Sequence, residues 1–256
     1  MRQIKIRNKF FNVTNTHQDF WNHYEAETWE KSTFDIFDRF INADTCFFDI
    51  GSWMGPTALY AAQTAKKVIC IEADPVAFQE LQDNIALNPS LGSKITIINK
   101  AISSTQDNVR MGARTAQGDS MSSALFSSDT NYWEVEAVTP QQLVDKTKNE
   151  YSNYFTKIDI EGGEYNLMPH LQSLIDVKNN TFFISLHPKF IEKNSFIRFF
   201  KTAYLTQKAL LPFKGYKVFL VRNETVDYSY WVSQLVAWGV CYLPIKSGLL
   251  LHNPEQ

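Results

Sequence analysis

Several features that define other classes of protein are scarce in this sequence or missing from it. Only three cysteines occur among the 256 residues, and no two of them have C-x-x-C spacing. An odd number of scattered cysteines favours neither a disulfide framework nor a structural zinc site, so we interpret Cys46, Cys70 and Cys241 as buried, reduced thiols. This pattern favours the cytoplasm as the compartment.

Long apolar runs and basic runs are missing as well. No segment is long and apolar enough to cross a bilayer, and residues 1–20 contain no apolar core of signal-peptide length. The 25 Lys and Arg residues face 27 Asp and Glu residues, which gives a formal net charge of -2. Without a basic field we expect no nucleic-acid partner. The oligomeric state does not follow from the sequence.

The sequence does contain enough apolar material for a large core, with 44% hydrophobic and 20% charged residues. From Thr45 onward, strand-like apolar runs alternate with helix-like amphipathic segments. This alternation predicts an α/β fold, a mostly parallel sheet with helices on both faces. The predicted strands cover residues 45–50, 67–74, 94–102, 154–161 and 180–188, and the predicted helices cover residues 56–67, 75–88, 139–149, 164–175 and 193–211.

The remaining segments complete the predicted organisation. Residues 1–44 are rich in aromatic side chains and are predicted to form a helical cap on a domain that covers residues 45–256. Residues 103–138 are polar and rich in Ser and Gly, so we interpret them as a long excursion with a functional or mobile loop. Residues 216–223 and 231–245 supply the last strands, and their order predicts an antiparallel edge.

The stretch FFDIGSWMGP, residues 47–56, joins the first strand of this domain to its first helix. A dinucleotide fingerprint would need glycine at positions 49, 51 and 54, where this chain has Asp49, Gly51 and Met54. The Gly-Lys-Ser/Thr ending of a phosphate loop is also missing. The D-x-G-x-x-x-G pattern, which ends at Gly55, instead suits a ligand with a positive end near Asp49. S-adenosylmethionine (SAM) is such a ligand, since it has an ammonium and a sulfonium but no phosphate.

An acid follows at the end of the second predicted strand. Glu72 lies 21 positions after Gly51 (72 − 51 = 21) in the stretch ICIEADP. A carboxylate at this position can accept hydrogen bonds from both hydroxyls of a ribose. The alternative is an acid that only complements the N-terminus of the next helix. With the glycine turn, we favour a cofactor site that contains Asp49, Gly51, Gly55, Glu72 and Ala73.

Three motifs resemble those of the FkbM-type SAM-dependent methyltransferases: FFDIGSWMGPTALYAA, VICIEADPVAFQELQDNIALN and KIDIEGGEYNLM. The resemblance covers roughly residues 28–190, and KIDIEGGE is its most family-specific element. The stretches GDSMSSAL and SLHP are also similar to the family. One departure is Trp53, where family members often have a small or polar residue. We keep Trp53 as a cofactor-site candidate because it can stack near the ligand or narrow the pocket.

The resemblance implies a Rossmann-like class I methyltransferase fold with seven strands, the last of them antiparallel. It also implies SAM-dependent O-methylation of a hydroxyl on a sugar, a glycan or a natural product, so the expected partner is a small-molecule or glycan substrate. In methyltransferases a helix before the first strand often caps the cofactor, which points to Glu30 and Thr33. The end of the third strand commonly lies beside the adenine, which points to Asn99 and Ala101.

Three residues at strand ends are candidates for the chemistry. Asp159 and Glu161 come at the end of the fourth strand and would share a face if the strand extends that far, and His187 ends the fifth strand. We expect Asp159 to grip the methionine end of SAM or to orient the acceptor, and Asp159 or His187 to take the hydroxyl proton. The paired carboxylates are also able to hold a divalent ion, but we assign no metal ligand.

Two other functions stay open at this point. A nicotinamide-dependent oxidoreductase has a similar sheet, although Asp49 and Met54 replace two of the glycines that its fingerprint needs. A non-catalytic SAM-binding scaffold protein would share the fold alone. The retention of Asp49, Glu72 and Asp159 argues against such a scaffold.

Overall fold

The computed structural model describes residues 1–128, 132–147, 150–192, 195–222, 225–226 and 247–253. The strands in these ranges are β1 Arg2–Ile6, β2 Lys9–Val13, β3 Thr45–Ile50, β4 Lys67–Ile71, β5 Ile95–Ile98, β6 Ala101–Ile102, β7 Val109–Ala113, β8 Ser122–Ser123, β9 Trp133–Val135, β10 Ala137–Val138, β11 Asn153–Ile158, β12 Asn180–Leu186, β13 Lys217–Arg222, β14 Thr225–Val226 and β15 Ser247–His252. The helices are α1 Gln18–Glu25, α2 Lys31–Phe40, α3 Pro56–Ala62, α4 Pro75–Ala86, α5 Pro89–Gly92, α6 Pro140–Thr147, α7 Glu164–Leu167, α8 Gln172–Ile175 and α9 Ser195–Leu210. Three short 3₁₀ helices cover Ala124–Phe126, Met168–His170 and Pro188–Phe190.

The central sheet has the strand order β14-β13-β15-β12-β11-β3-β4-β5. The five strands from β12 to β5 in this order run parallel, and β15 lies antiparallel between β12 and β13. Apart from the two-residue edge strand β14, this is the predicted seven-stranded sheet with an antiparallel last strand. The chain turns from one half of the sheet to the other between β3 and β11, so a ligand site is expected at the carboxyl ends of these strands.

Both faces of the sheet are buried. In β3, the side chains of Cys46, Phe48 and Ile50 belong to one hydrophobic cluster, and Phe47 belongs to another on the opposite face. Side chains from α6 to α9 cover the first cluster, and side chains from α1 to α4 cover the second. Because successive side chains point to opposite faces, Asp49 lies on the same face as Phe47.

The N-terminal segment begins with an antiparallel hairpin that was not predicted. β1 and β2 pair from Arg2 opposite Val13 to Ile6 opposite Lys9. The inward side chains of the hairpin join the cluster that contains Phe47. Residues 1–44 therefore contain this hairpin as well as the predicted helices, and they pack into the body of the fold.

Residues 103–138, predicted as a long polar excursion with a functional or mobile loop, contain short strands that were not predicted. β7 pairs antiparallel with β8 and with β9, and β10 pairs parallel with β6. Gly112 in β7 faces the backbone of the following 3₁₀ helix so closely that a Cβ atom would lie 2.4 Å from the Phe126 carbonyl oxygen. Strands of two to five residues are too short to produce a clear alternating pattern, which explains why the sequence did not predict them.

Several predicted boundaries change. β11 ends at Ile158, so Asp159 and Glu161 lie beyond the strand and do not share a strand face. β15 was not predicted, and the predicted strand 231–245, with Cys241, lies outside the described residues. Cys46 and Cys70 are buried free thiols, as interpreted. Among the described helices, none combines the length and the hydropathy that a membrane crossing needs.

Candidate active site

The turn after β3 requires glycine at its first position. Gly51 has a φ of 82°, in the left-handed region, and its N–H donates to the Ile71 carbonyl at 2.9 Å. A Cβ atom on Gly51 would lie 1.9 Å from the carbonyl oxygen of Asp159. The ends of β3, β4 and β11 can therefore approach one another only because this position has no side chain.

Glu72 is held at the end of β4 by two backbone donors. The N–H of Trp53 donates to Glu72 Oε2 at 2.7 Å, and the N–H of Asp74 donates to Oε1 at 2.7 Å. Burial raises the pKa of the Glu72 carboxyl to about 7, although these two hydrogen bonds oppose the increase. Each oxygen retains a further lone pair, so the carboxylate is able to accept hydrogen bonds from a bound ligand.

The first cavity, which we call the Glu72 cavity, opens at the carboxyl ends of β3 and β4. Its walls include Glu72 and Ala73 on one side and Ala101 on another. Asn99 is not among the residues that line this cavity, because its side-chain amide donates to the Glu72 carbonyl at 2.9 Å. Asn99 therefore supports the backbone of Glu72, whereas Ala73 and Ala101 face the space where we predict the cofactor.

Asp49 and Gly55 occupy positions behind the turn. Asp49 is fully buried, and its Oδ2 accepts a hydrogen bond from Thr57 Oγ1 at 2.7 Å. Burial raises the pKa of the Asp49 carboxyl to about 6. Gly55 has a φ of 92° at the start of α3, where a Cβ atom would lie 2.6 Å from Leu81 Cδ1. Neither Asp49 nor Gly55 lines either of the two cavities described here.

A second cavity, which we call the His187 cavity, meets the first at the strand ends. The residues that line both cavities are Gly51, Trp53, Ser120, Asp159 and Glu161. With the open space at their mouths included, the His187 cavity has a volume of about 1840 Å³ and the Glu72 cavity a volume of about 1000 Å³. Glu30 and Thr33, predicted from the cap helix, line the His187 cavity, where Thr33 Oγ1 donates to Glu30 Oε2 at 3.2 Å.

Lys157 compensates the charge of Asp159 at the junction of the cavities. Its ammonium lies 3.2 Å from Asp159 Oδ2 and 4.0 Å from Asp49 Oδ1. Burial by itself would raise the pKa of the Asp159 carboxyl, but Lys157 and His187 together hold this pKa below its usual value. Asp159 is therefore an anion at neutral pH, with its charge directed at both cavities.

His187 faces the two predicted carboxylates. Its Nε2 lies 3.7 Å from Asp159 Oδ1 and 3.6 Å from Glu161 Oε2. Burial lowers the pKa of His187, but its hydrogen bond to Glu164 and the charges of the nearby acids raise the pKa overall, to about 9. Burial also raises the pKa of Glu161 to about 7. The structure thus brings together Asp159, Glu161 and His187, as the sequence predicted for strand ends.

Glu164 fixes the orientation of this group. Its carboxylate is fully buried and accepts the N–H of Ile160 at 2.9 Å and the N–H of Gly162 at 2.9 Å. Glu164 Oε1 also lies 2.9 Å from His187 Nδ1. Because the carboxylate is already an acceptor, Nδ1 is the donor in this contact, and Nε2 is the nitrogen that faces the cavity.

The Asp159, Glu161 and His187 side chains are also the described residues that are able to hold a metal ion. One ligand atom from each lies within 4.8 Å of the others. The ammonium of Lys157 at 3.2 Å from Asp159 opposes a second positive charge there. The geometry therefore permits a divalent ion, whereas the neighbouring charges do not favour one.

The segment of residues 114–124 completes both cavities. The Gly118 N–H donates to Asp74 Oδ2 at 2.9 Å, and its carbonyl accepts the indole N–H of Trp53 at 2.9 Å. Ser122 Oγ donates to the same Asp74 oxygen at 2.7 Å. Trp53 therefore connects the glycine turn to this segment, and its ring packs edge-on against Phe20.

Sequence reasoning missed the roles of Lys157, Asp74 and Glu164. A lysine in the middle of an apolar strand, as in YFTKIDI, was the available signal for Lys157, since buried lysines are rare without a partner. Asp74 precedes the proline of α4 and was readable as a helix N-cap, which it is. The sequence favours a helix-end charge for Glu164, and its contact with His187 depends on the fold.

A family model described as the methyltransferase FkbM domain matches residues 47–218. Among curated proteins, the ribosomal protein L11 methyltransferase of Clostridium perfringens (strain 13 / Type A) is 42% identical over 52 residues, which is 20% of this chain. The aligned stretch spans only 17% of the length of that relative.

Solved structures with a similar arrangement include a methyltransferase FkbM from Methylobacillus flagellatus KT. It has a TM-score of 0.48 and 16% identity, over 82% of this chain and 44% of that one. A precorrin 8W decarboxylase from Methanobacterium thermoautotrophicum has a TM-score of 0.44 and 12% identity, over 88% of this chain and 89% of that one. The family match extends over more than half of the chain and includes Gly51, Glu72, Asp159 and His187. The chain therefore belongs to the FkbM family of methyltransferases.

Proposed function

We propose that this methyltransferase uses SAM and transfers the methyl group to a hydroxyl of a sugar, a glycan or a natural-product acceptor. The observation that carries the proposal is the meeting of the two cavities at Asp159. The Glu72 cavity offers a carboxylate for ribose hydroxyls, and the His187 cavity offers ionisable groups for a polar acceptor. A methyl donor and a hydroxyl acceptor need this kind of shared boundary, because the reacting atoms must be held in contact.

The residues of the Glu72 cavity fit the proposed cofactor. Glu72 keeps lone pairs for the two ribose hydroxyls, and Gly51 leaves room where a Cβ atom would strike the Asp159 carbonyl. Ala73 and Ala101 provide small apolar walls. When bound, SAM supplies an activated methyl group. Since Asp49 is buried, the positive end of the ligand would meet the carboxylates of Asp159 and Glu30 in place of Asp49.

The chain would contribute alignment and proton transfer. With Nδ1 held by Glu164, the neutral form of His187 has a free lone pair on Nε2, which is the nitrogen that faces Asp159 and Glu161. Because the pKa of His187 is raised to about 9, the imidazolium prevails at neutral pH, and the neutral form that can act as a base increases as the pH rises. In this proposal His187 Nε2 would take the proton of the acceptor hydroxyl while the hydroxyl oxygen receives the methyl group that SAM supplies, with S-adenosylhomocysteine as the other product. Asp159 then stabilises the imidazolium, and a positioned base of this type contributes about 10²–10⁴-fold in rate.

A direct test compares ligands by calorimetry on the purified protein. SAM and S-adenosylhomocysteine should bind, whereas NAD should not, because Asp49 and Met54 replace two glycines of the dinucleotide fingerprint. Preferential binding of NAD would instead support an oxidoreductase. Transfer of labelled methyl groups from SAM to a panel of sugars, nucleotide sugars and polyketides would then identify the acceptor. Binding of SAM without transfer to any member of a broad panel would favour a scaffold protein.

A further inference from the structure

The outer wall of the His187 cavity contains three basic side chains from three separate segments. Arg114 follows β7, Lys189 lies in the 3₁₀ helix after His187, and Arg198 lies in α9. Arg114 and Lys189 are exposed, and Arg198 is partly buried. Segments that are distant in sequence thus bring three positive charges to the lining of one cavity, and from their exposure we infer that they lie at its entrance.

These three side chains have no carboxylate partner within ion-pair distance in the part of the chain that the structure describes. The contact of Arg114 is with the sulfur of Met121 at 3.5 Å, and Arg198 donates to the carbonyl of Glu192 at 3.3 Å. The Lys189 ammonium lies 4.8 Å from the centre of the Phe190 ring. The contacts of these three cations are therefore with neutral groups, although such cations ordinarily pair with anions.

Arg2, Arg7 and Arg110, by contrast, pair with carboxylates of the chain. Arg7 contacts Asp35 at 2.6 Å and Asp38 at 2.7 Å, and Arg110 lies 3.8 Å from Glu134. Arg114 and Arg198 therefore differ from these paired arginines, and both line a candidate substrate site.

The acids inside the cavity already have partners. Asp159 lies 3.2 Å from the Lys157 ammonium, and Glu161 lies 3.6 Å from His187 Nε2. The positive charge of Lys189 also acts on Glu161 over a longer distance, and it opposes the increase in the pKa of that carboxyl that burial causes. Among the described residues that line the cavity, the cations Lys157, His187, Arg114, Lys189 and Arg198 outnumber the acids Glu30, Asp159 and Glu161, so positive charge remains in excess.

We propose that the acceptor of this enzyme carries an anionic group, a phosphate or a carboxylate, which Arg114, Lys189 and Arg198 bind at the entrance while its hydroxyl reaches His187. This inference rests on the function proposed above. The planar guanidinium groups bind phosphate and carboxylate oxygens in a bidentate manner, and the lysine ammonium adds a point charge.

SAM itself has a carboxylate, and the test must separate it from the acceptor. Calorimetry on the protein saturated with S-adenosylhomocysteine would compare glucose, glucose 1-phosphate and glucuronate as probes with closely similar rings. At least one anionic sugar should bind about ten- to hundredfold more tightly than glucose, since hydrogen bonds between charged groups have that effect. The two anionic probes also distinguish phosphate from carboxylate recognition.

The double variant Arg114→Gln/Arg198→Gln should lose most of this preference, and Arg110→Gln is the matched control because it lies outside both cavities. Equal affinity for glucose and for both anionic sugars would overturn the proposal. So would a double variant that binds S-adenosylhomocysteine more weakly but keeps the preference, because the arginines would then serve the cofactor carboxylate. Binding of S-adenosylhomocysteine to the unmodified protein, measured first, tests the proposed function separately.

Discussion

Lys157 lies directly opposite Asp49 in the parallel ladder between β11 and β3, and two residues further along the chain Asp159 faces the same ammonium. The side chains of Lys157 and Asp49 are 4% and 0% exposed. Burial would lower the pKa of Lys157, but the carboxylates of Asp159 and Asp49 raise it above its ordinary value. The buried ammonium of Lys157 therefore compensates two carboxylates, Asp49 beneath the turn and Asp159 at the junction of the cavities.

Replacement of Lys157 by methionine should destabilise the protein strongly. Loss of one partner from a buried ion pair typically costs about 3–5 kcal/mol, because the remaining charge stays buried without compensation. Urea denaturation at pH 7 would measure the free energy of unfolding, with Lys178→Met on the exposed surface as the control. The double variant Lys157→Met/Asp159→Asn should recover part of the loss. Equal stability of Lys157→Met and the control would show that the ion pair contributes little.

Glu72→Gln should weaken the binding of S-adenosylhomocysteine without unfolding the protein. Loss of the charged acceptor should reduce affinity by about 1.5–3 kcal/mol, which is about ten- to hundredfold. Because burial raises the Glu72 pKa to about 7, affinity for the unmodified protein should also fall as the pH decreases through 7. Calorimetry at several pH values would measure both effects, and Glu134→Gln is an exposed control. An unchanged affinity would show that Glu72 only complements the N-terminus of the next helix and does not bind the cofactor.

Asp159→Asn should impair both chemistry and cofactor binding. The substitution keeps the shape of the side chain and removes the charge that lies 3.7 Å from His187 Nε2. Because Asp159 is proposed both to meet the positive end of SAM and to stabilise the imidazolium, the affinity for SAM should fall, and turnover at saturating SAM should also fall at least about a hundredfold. Labelled-methyl transfer and calorimetry would measure the two quantities, with exposed Asp145→Asn as the control. A large loss of affinity with normal turnover at saturation would show that Asp159 only binds the cofactor.

His187 should make stability depend on alkaline pH. Its pKa is raised from 6.5 to about 9 in the folded protein, so its contribution is complete below pH 6.5 and is lost as the pH rises through 9. The difference of 2.5 (9 − 6.5) corresponds to about 3 kcal/mol. Urea denaturation at pH 6.5 and pH 9 should show this decrease for the unmodified protein and for exposed His170→Gln, but much less for His187→Gln. If all three proteins showed the same pH dependence, groups other than His187 would cause the loss of stability.

Removal of divalent metal should leave the protein unchanged. The ammonium of Lys157 and the raised pKa of His187 already compensate the carboxylates that would hold an ion. We therefore expect the same melting temperature after dialysis against EDTA and after addition of Mn²⁺ or Mg²⁺. A stabilisation by Mn²⁺ that disappears in Glu161→Gln would contradict this expectation and would identify a metal site at Asp159, Glu161 and His187.

The sequence predicted the residues at the strand ends well, because parallel strands bring their carboxyl ends to one edge of a sheet. Gly51 and Glu72 follow β3 and β4, and Asp159 and His187 meet because they follow the neighbouring strands β11 and β12. Glu161 also reaches this group, although β11 ends at Ile158. A turn with a φ of 53° at Glu161 positions its side chain, and strand alternation does not.

The contacts between distant segments were beyond sequence reasoning. Asn99 turns to the Glu72 carbonyl, and the place of Asp49 beneath the turn depends on the pairing of Lys157 with it across the sheet. The hairpin of β1 and β2 has a weak signal, the alternation of Ile4 and Ile6 before a short turn, which the neighbouring charged residues obscure. The sequence pattern indicates only the conformational preference of each segment, whereas these contacts depend on which helices and strands lie next to each other in the folded protein.

Asp74 links two parts of the chain that are 44 residues apart. One of its oxygens accepts the N–H groups of Val76 and Ala77 at the start of α4, and the other accepts the N–H of Gly118. The carboxylate is oriented by the first turn of the helix, and closure of so long a loop costs entropy before any contact rewards it. The same carboxylate therefore caps a helix and anchors the segment that lines both cavities, so a single side chain couples the stability of the start of α4 to the shape of the candidate site.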